Sequence, residues 1–184
     1  MDKTRDKINQ LISSIKDFEE IDLSDIPNID LYMDQVTTFM EDKLHQYKRK
    51  DEDKILTKTM INNYTKNKVL RASEKKKYSK SHMILLIFIY YFKQTVSIKD
   101  IGLLLDMING DGSKQTGNLE EIYEKFIDIK SNEEKKVLDD IHNKVDDIKT
   151  EEDLFLLVAS LMVRSNLQKV TAEKIIDAYY EKQD

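Results

Sequence analysis

The sequence predicts an all-α protein. Apolar residues recur at helical spacing along nearly the whole chain. Breakers are scarce, with four Gly and a single Pro in 184 residues. The stretches that lack the period are short, and they leave room for at most one short β-ribbon. From the N-terminus, Ile8, Leu11, Ile12, Ile15 and Phe18 form the stripe of an amphipathic helix expected to dock on the body. Pro27, within "DLSDIPNID", ends that segment and presets the next. Helical spacing resumes at Leu31, Met33, Val36, Phe39, Met40 and Leu44, followed by the charged connector "KRKDEDK" at 48–54.

Thr57 then stands where a short helix needs its N-cap, because its hydroxyl can accept from first-turn backbone donors. Met60, Ile61 and Tyr64 make one apolar edge of this helix, and Asn67 suits a left-handed stop. "RASEKKKY", 71–78, carries no stripe and reads as a basic loop or small hairpin. Ser79 or Ser81 caps the next helix, whose "MILLIFIYYF" is the longest apolar run. Its ten residues fall well short of the roughly 20 that a membrane span requires. A buried core helix is expected there.

Ser97 caps a further helix with Ile98, Ile101, Leu104 and Leu105 on its face. "NGDGSKQTGN", 109–118, holds three of the four glycines and reads as a boundary. Four helical stretches follow: 119–130; 133–148, with Val137, Ile141, Val145 and Ile148 as a narrow seam; "EEDLFLLVASLMVRS"; and 171–182, opened by a Thr171 cap. The third is apolar nearly all round, which predicts a central position. The expected organisation is an N-terminal helix over 1–28, a domain over 29–106, a Gly-rich linker over 107–118 and a helical subdomain over 119–184.

Charge is distributed unevenly. The chain carries a formal net charge of −5, yet residues 43–80 hold 13 basic against 4 acidic residues. An anion-binding surface on an acidic body is expected. Cysteine is absent, which excludes disulfides and thiolate metal sites and fits a reducing compartment. "MDKTRDKINQLISSIK" lacks the apolar core of a signal peptide. The expectation is a soluble cytoplasmic protein without membrane partners.

Helix, connector, capped helix, basic loop and two further helices follow one another over 29–105. That is the layout of a winged helix-turn-helix, in which Asn bonds adenine edges while Lys and Thr meet phosphates. At these residues the chain resembles the MerR family of transcription regulators. Thr57 stands at the family's cap position, with Ile61, Tyr64, Val69 and Leu70 on its apolar positions. "KKKYS", 75–79, matches the end of the wing, and "VSIKDIGLLL", 96–105, matches the fourth helix. Asn62 replaces the helix Arg and Lys68 replaces a Gly. The whole chain is also similar to bacterial proteins grouped only as a domain of unknown function, a grouping that implies a MerR-like N-terminal half and assigns no activity.

The resemblance implies DNA contact at Thr57, Asn62, Tyr64, Lys77 and Tyr78. The basic face read from the residues themselves adds Lys58, Thr59, Asn63, Lys66, Arg71, Lys75 and Lys76. Other constellations fail. As a calcium loop, "NGDGSK" would place Met107 and Asn118 where carboxylates are required, and it lacks the Lys-Ser/Thr ending of a phosphate loop. His45, His82 and His142 have no ligand-spaced partners. No catalytic grouping emerges, so neither an enzyme nor a cofactor is expected. The expectation is a sequence-specific regulator of transcription bound to double-stranded DNA. It is expected to be a homodimer, with the 133–148 seam as one candidate surface, and the helices of 119–182 offer a place for a small-molecule or protein effector. The rival is a protein-interaction module on the same scaffold.

Overall fold

A computed structural model describes residues 2–109 and 118–180. Most of the glycine-bearing stretch, 110–117, lies outside the described residues, and the calcium-loop question lies there with it. The elements are α1 (Asp2–Lys16), β1 (Leu31–Tyr32), α2 (Met33–Leu44), α3 (Lys58–Lys66), β2 (Lys77–Tyr78), α4 (Lys80–Phe92), α5 (Ile98–Asn109), α6 (Leu119–Val145) and α7 (Glu151–Tyr179). Among the described residues, the one sheet pairs β1 antiparallel with β2, Leu31 opposite Tyr78 and Tyr32 opposite Lys77. The all-α expectation therefore holds. The predicted second helix starts two residues late, because Leu31 and Tyr32 are drawn into this ladder, one buried and one exposed.

The chain groups into two compact units, Met1–Glu20 with Phe126–Thr171 and Ile21–Lys125 with Ala172–Asp184. Both α6 and α7 continue from one unit into the other. The larger unit is built on α4, where Met83 to Tyr90 are all buried, as its unbroken apolar run requires. Val36, Met40 and Leu44 of α2, Ile61 and Tyr64 of α3, and Ile101 and Leu105 of α5 complete that core. Tyr123 is fully buried, edge-on to Phe88 with ring centroids 5.8 Å apart, and its hydroxyl donates to the Ile21 carbonyl at 2.6 Å.

In the smaller unit, Ile12 of α1 packs with Leu138 and Val145 of α6, flanked by Ile8 and Ile141. Val145 and Ile141 of the predicted seam are thus packed against α1, while Val137 stays exposed. Polar ties flank the packing: Arg5 Nε donates to Ile148 O at 2.7 Å, and Lys16 reaches Asp139 at 3.0 Å. Leu11 and Ile15 stay exposed, so the buried stripe of α1 is narrower than its spacing suggested.

Two further boundaries are corrected. Residues 119–130 and 133–148 form one helix to Val145, since "SNEEKK" contains neither Gly nor Pro. The last two predicted helices likewise merge into α7. Thr171 does not cap anything there; its hydroxyl donates back to Leu167 O at 2.8 Å within the helix. The cap of α7 is Thr150, whose Oγ1 accepts from Asp153 N–H at 3.1 Å while the Asp153 carboxylate takes the Thr150 N–H at 2.8 Å. The predicted central position of "EEDLFLLVASLMVRS" is overturned: Phe155, Leu156, Val158, Met162 and Val163 are all exposed.

Candidate nucleic-acid interface

Helix α3 forms because Thr57 caps it, Oγ1 accepting from Met60 N–H at 3.2 Å. Its apolar edge is held down by Ile61 and Tyr64. The opposite face then presents Lys58, Thr59, Asn62, Asn63 and Lys66 to solvent, positions one and four apart on two turns. Lys58 is paired with Asp34 at the start of α2.

The helix ends in a paired-bond stop. Val69 N–H donates to Tyr64 O at 2.9 Å and Lys68 N–H to Thr65 O at 3.0 Å, the Schellman pattern. The left-handed residue is Lys68, with φ 59°, and not Asn67, whose φ is −84°. This corrects the predicted stop by one residue. Glycine ordinarily fills such a position, because a Cβ there costs roughly 1–2 kcal/mol.

The basic loop closes as a tight hairpin. Lys77 N–H donates to Glu74 O at 2.8 Å and Glu74 N–H to Lys77 O at 3.1 Å, leaving Lys75 and Lys76 as the two turn residues. Their φ values are 49° and 64°, the left-handed pair of a type I′ turn, where Asn-Gly is the usual choice. Both side chains are exposed, as is Arg71. Lys77 is half-buried, with its ammonium 5.5 Å from the centroid of the Tyr32 ring. The hairpin and the start of α3 meet the same short segment, since Lys77 pairs with Tyr32 while Asp34 holds Lys58. Tyr64 and Tyr78 are 6% and 5% exposed, so they pack beneath this face and are removed from its contact surface. Burial also raises the Tyr64 pKa.

His82 ties the hairpin down at both ends. Its Nδ1 accepts from Ser79 N–H at 3.2 Å, completing the cap of α4, and Nε2 reaches Ala72 O at 3.4 Å. With Nδ1 accepting, the neutral tautomer that fits this arrangement carries its proton on Nε2. Desolvation lowers its pKa, followed by smaller and partly opposed influences from the Ala72 hydrogen bond, Arg71, Glu74 and Asp30. A His whose folded pKa lies below its unfolded value binds protons more readily when unfolded. Stability is therefore expected to fall as pH drops below about 6.5, the ordinary His value, and to level off below the folded pKa. His82→Gln keeps a capping acceptor for Ser79 and should flatten this slope in thermal melts taken between neutral and mildly acidic pH. An unchanged slope would show that other groups set it.

Beside the C-terminal end of α3 lies an open groove of about 980 Å³, whose lining includes Asn63, Lys68, Lys93, Lys99 and Asp106. Lys93 is partly buried, donates to Ile55 O at 2.8 Å, and has its pKa lowered by desolvation. Among the described residues, no group of His, Asp or Glu has metal-ligand spacing and no helix is long and apolar enough to cross a membrane. Lys68 is a further candidate that sequence reasoning noted only as a departure from a glycine position. The signal was available: a Lys where a glycine is required, inside a basic stretch.

The model of a family described as "Domain of unknown function (DUF1836)" matches residues 21–126. No curated protein and no solved structure matches the chain. The chain belongs to the DUF1836 family.

Proposed function

We propose that this member of the family is a cytoplasmic transcriptional regulator of the MerR-like winged helix-turn-helix kind. It meets double-stranded DNA through the exposed face of α3 and the Lys75–Lys76 turn as its wing. One observation carries the reading. Lys68, Lys75 and Lys76 are the non-glycine residues of the described chain with positive φ, and all three are lysines in the basic stretch. Strained backbone of this kind persists where function retains it, and here the retained feature is positive charge where glycine would be more stable. Thr59, Asn62, Asn63 and Lys66 supply a polar face of the composition that reads base edges and phosphates.

A second reading, an acidic protein partner on the same face, draws on the pairing of Lys58 with Asp34 and on Asn62 where the family pattern has Arg. The test is fluorescence anisotropy with genomic DNA fragments between about 50 and 200 mM salt. Lys66, Lys68, Arg71, Lys75, Lys76 and Lys77 make six candidate phosphate contacts, for an expected log–log salt slope of about −5. Lys75→Ala/Lys76→Ala/Lys77→Ala should weaken binding and flatten the slope by up to about three units. Absence of binding at the low-salt end would refute the regulator and turn the search to acidic proteins.

A further inference from the structure

The third helix stretch was expected in a core, and its exposure is the largest unexplained feature of the smaller unit. Phe155, Leu156, Val158, Met162, Val163, Leu167 and Val170 are between 36% and 70% exposed. From Met162 to Thr171 every residue of α7 is exposed. Arg164 of this segment pairs with Asp140 of α6, but apolar side chains left in water gain little packing energy, and isolated helices shorter than roughly 12–15 residues are marginal in water. β-branched Val163, Val170 and Thr171 lower the local propensity further.

We propose that this part of α7 is a self-association surface, on which a second copy of the chain lays the same segment antiparallel. Three properties select a second copy. The first is area. Seven side chains of about 60–120 Å² each, the area to which a burial free energy of about 1.5–3 kcal/mol corresponds, a little over half exposed, present roughly 400 Å² of apolar surface. At the approximately 65% apolar share of homodimer interfaces, that corresponds to about 600 Å² per partner, the lower end of specific interfaces, which bury about 1,200 Å² in total.

The second is charge. Phe155, Ala159, Met162, Val163, Asn166 and Val170 recur at three, four and seven residues as one stripe, and none of them is charged. An uncharged stripe can be doubled on itself without repulsion. The third is pattern. A two-fold axis beside Met162 and Val163 sets Phe155 against Val170 and small Ala159 against Asn166, a self-complementary arrangement of the kind isologous dimers require. The inference stands apart from the DNA reading, since it rests on α7 and is tested without nucleic acid.

Sedimentation equilibrium of the full chain at micromolar concentration should give twice the chain mass of 21.7 kDa. Met162→Glu/Val163→Glu should return a single chain mass with unchanged helical circular dichroism, because both positions are exposed within one chain. The chain has no cysteine, so cross-linking can be read without background. Val163→Cys alone should form a disulfide-linked dimer under mild oxidation, whereas Phe155→Cys should cross-link only when mixed with Val170→Cys. A wild-type chain monomeric throughout, a dimer that survives the double Glu change, or a mass increase seen only with a different protein would each overturn the proposal.

Discussion

The variant Lys75→Asn/Lys76→Gly is expected to unfold at a higher temperature than the natural chain while binding DNA more weakly. Both lysines hold left-handed backbone, with φ 49° and 64°. Each non-glycine residue in that region costs roughly 1–2 kcal/mol, and Asn-Gly is the pair a type I′ hairpin favours. Relief at two positions should stabilise the larger unit by about 2 kcal/mol. The same change removes two cations from the turn, so the salt slope of DNA binding should shrink by about two units. Opposed signs are the signature of charge retained for contact at a cost in stability. Higher stability with unchanged DNA affinity would remove the turn from the interface, whereas lower stability would show that the lysine side chains hold the hairpin together.

The largest stability loss is expected at Tyr123. This side chain is fully buried, packs edge-on against Phe88, and donates a 2.6 Å hydrogen bond to the Ile21 carbonyl. Tyr123→Ala removes ring and hydroxyl together and should cost about 3–5 kcal/mol, the range of large aromatic deletions. Tyr123→Phe keeps the ring but leaves a buried carbonyl without its donor, for about 1–3 kcal/mol. Urea unfolding followed by circular dichroism separates the two. The midpoint should fall in both, further for Ala, with the slope conserved. Equal losses for Phe and Ala would mean that the hydrogen bond, and not the ring, fastens Ile21 to α6.

Local chemistry was legible in the sequence wherever one residue decides an element. Thr57, Ser79 and Ser97 each stand at the helix starts they predicted; Ser97 Oγ accepts from Asp100 N–H at 3.2 Å. The buried run of α4 was legible too, since a run of ten apolar residues has to be hidden along most of its length, as Met83 to Tyr90 are. The polar face of α3 followed from Thr, Asn and Lys at helical spacing. What could not be read depends on partners remote in sequence. Leu31 and Tyr32 look helical until Lys77 and Tyr78 arrive beside them. The seam of 133–148 looks free until Ile12 covers part of it. The exposure of α7 is the converse case, for an apolar helix declares that it must be covered and not by what. Lys75 and Lys76 were legible by their charge, but the left-handed backbone that they share with Lys68 was not, because composition does not record backbone angles.

The imidazole of His82 bridges Ala72, ahead of the hairpin, and Ser79, behind it. A loop tethered at both ends has little freedom left to surrender, so a partner that docks on its tip finds the shape already made. Ordering each residue of a slack loop would otherwise take roughly 1–2 kcal/mol from the affinity. Encounter with such a preformed cationic turn is governed by diffusion and field, not by waiting for the right conformer. Association through this tip should therefore show a rate that depends steeply on ionic strength and only weakly on temperature, beyond the viscosity of water itself.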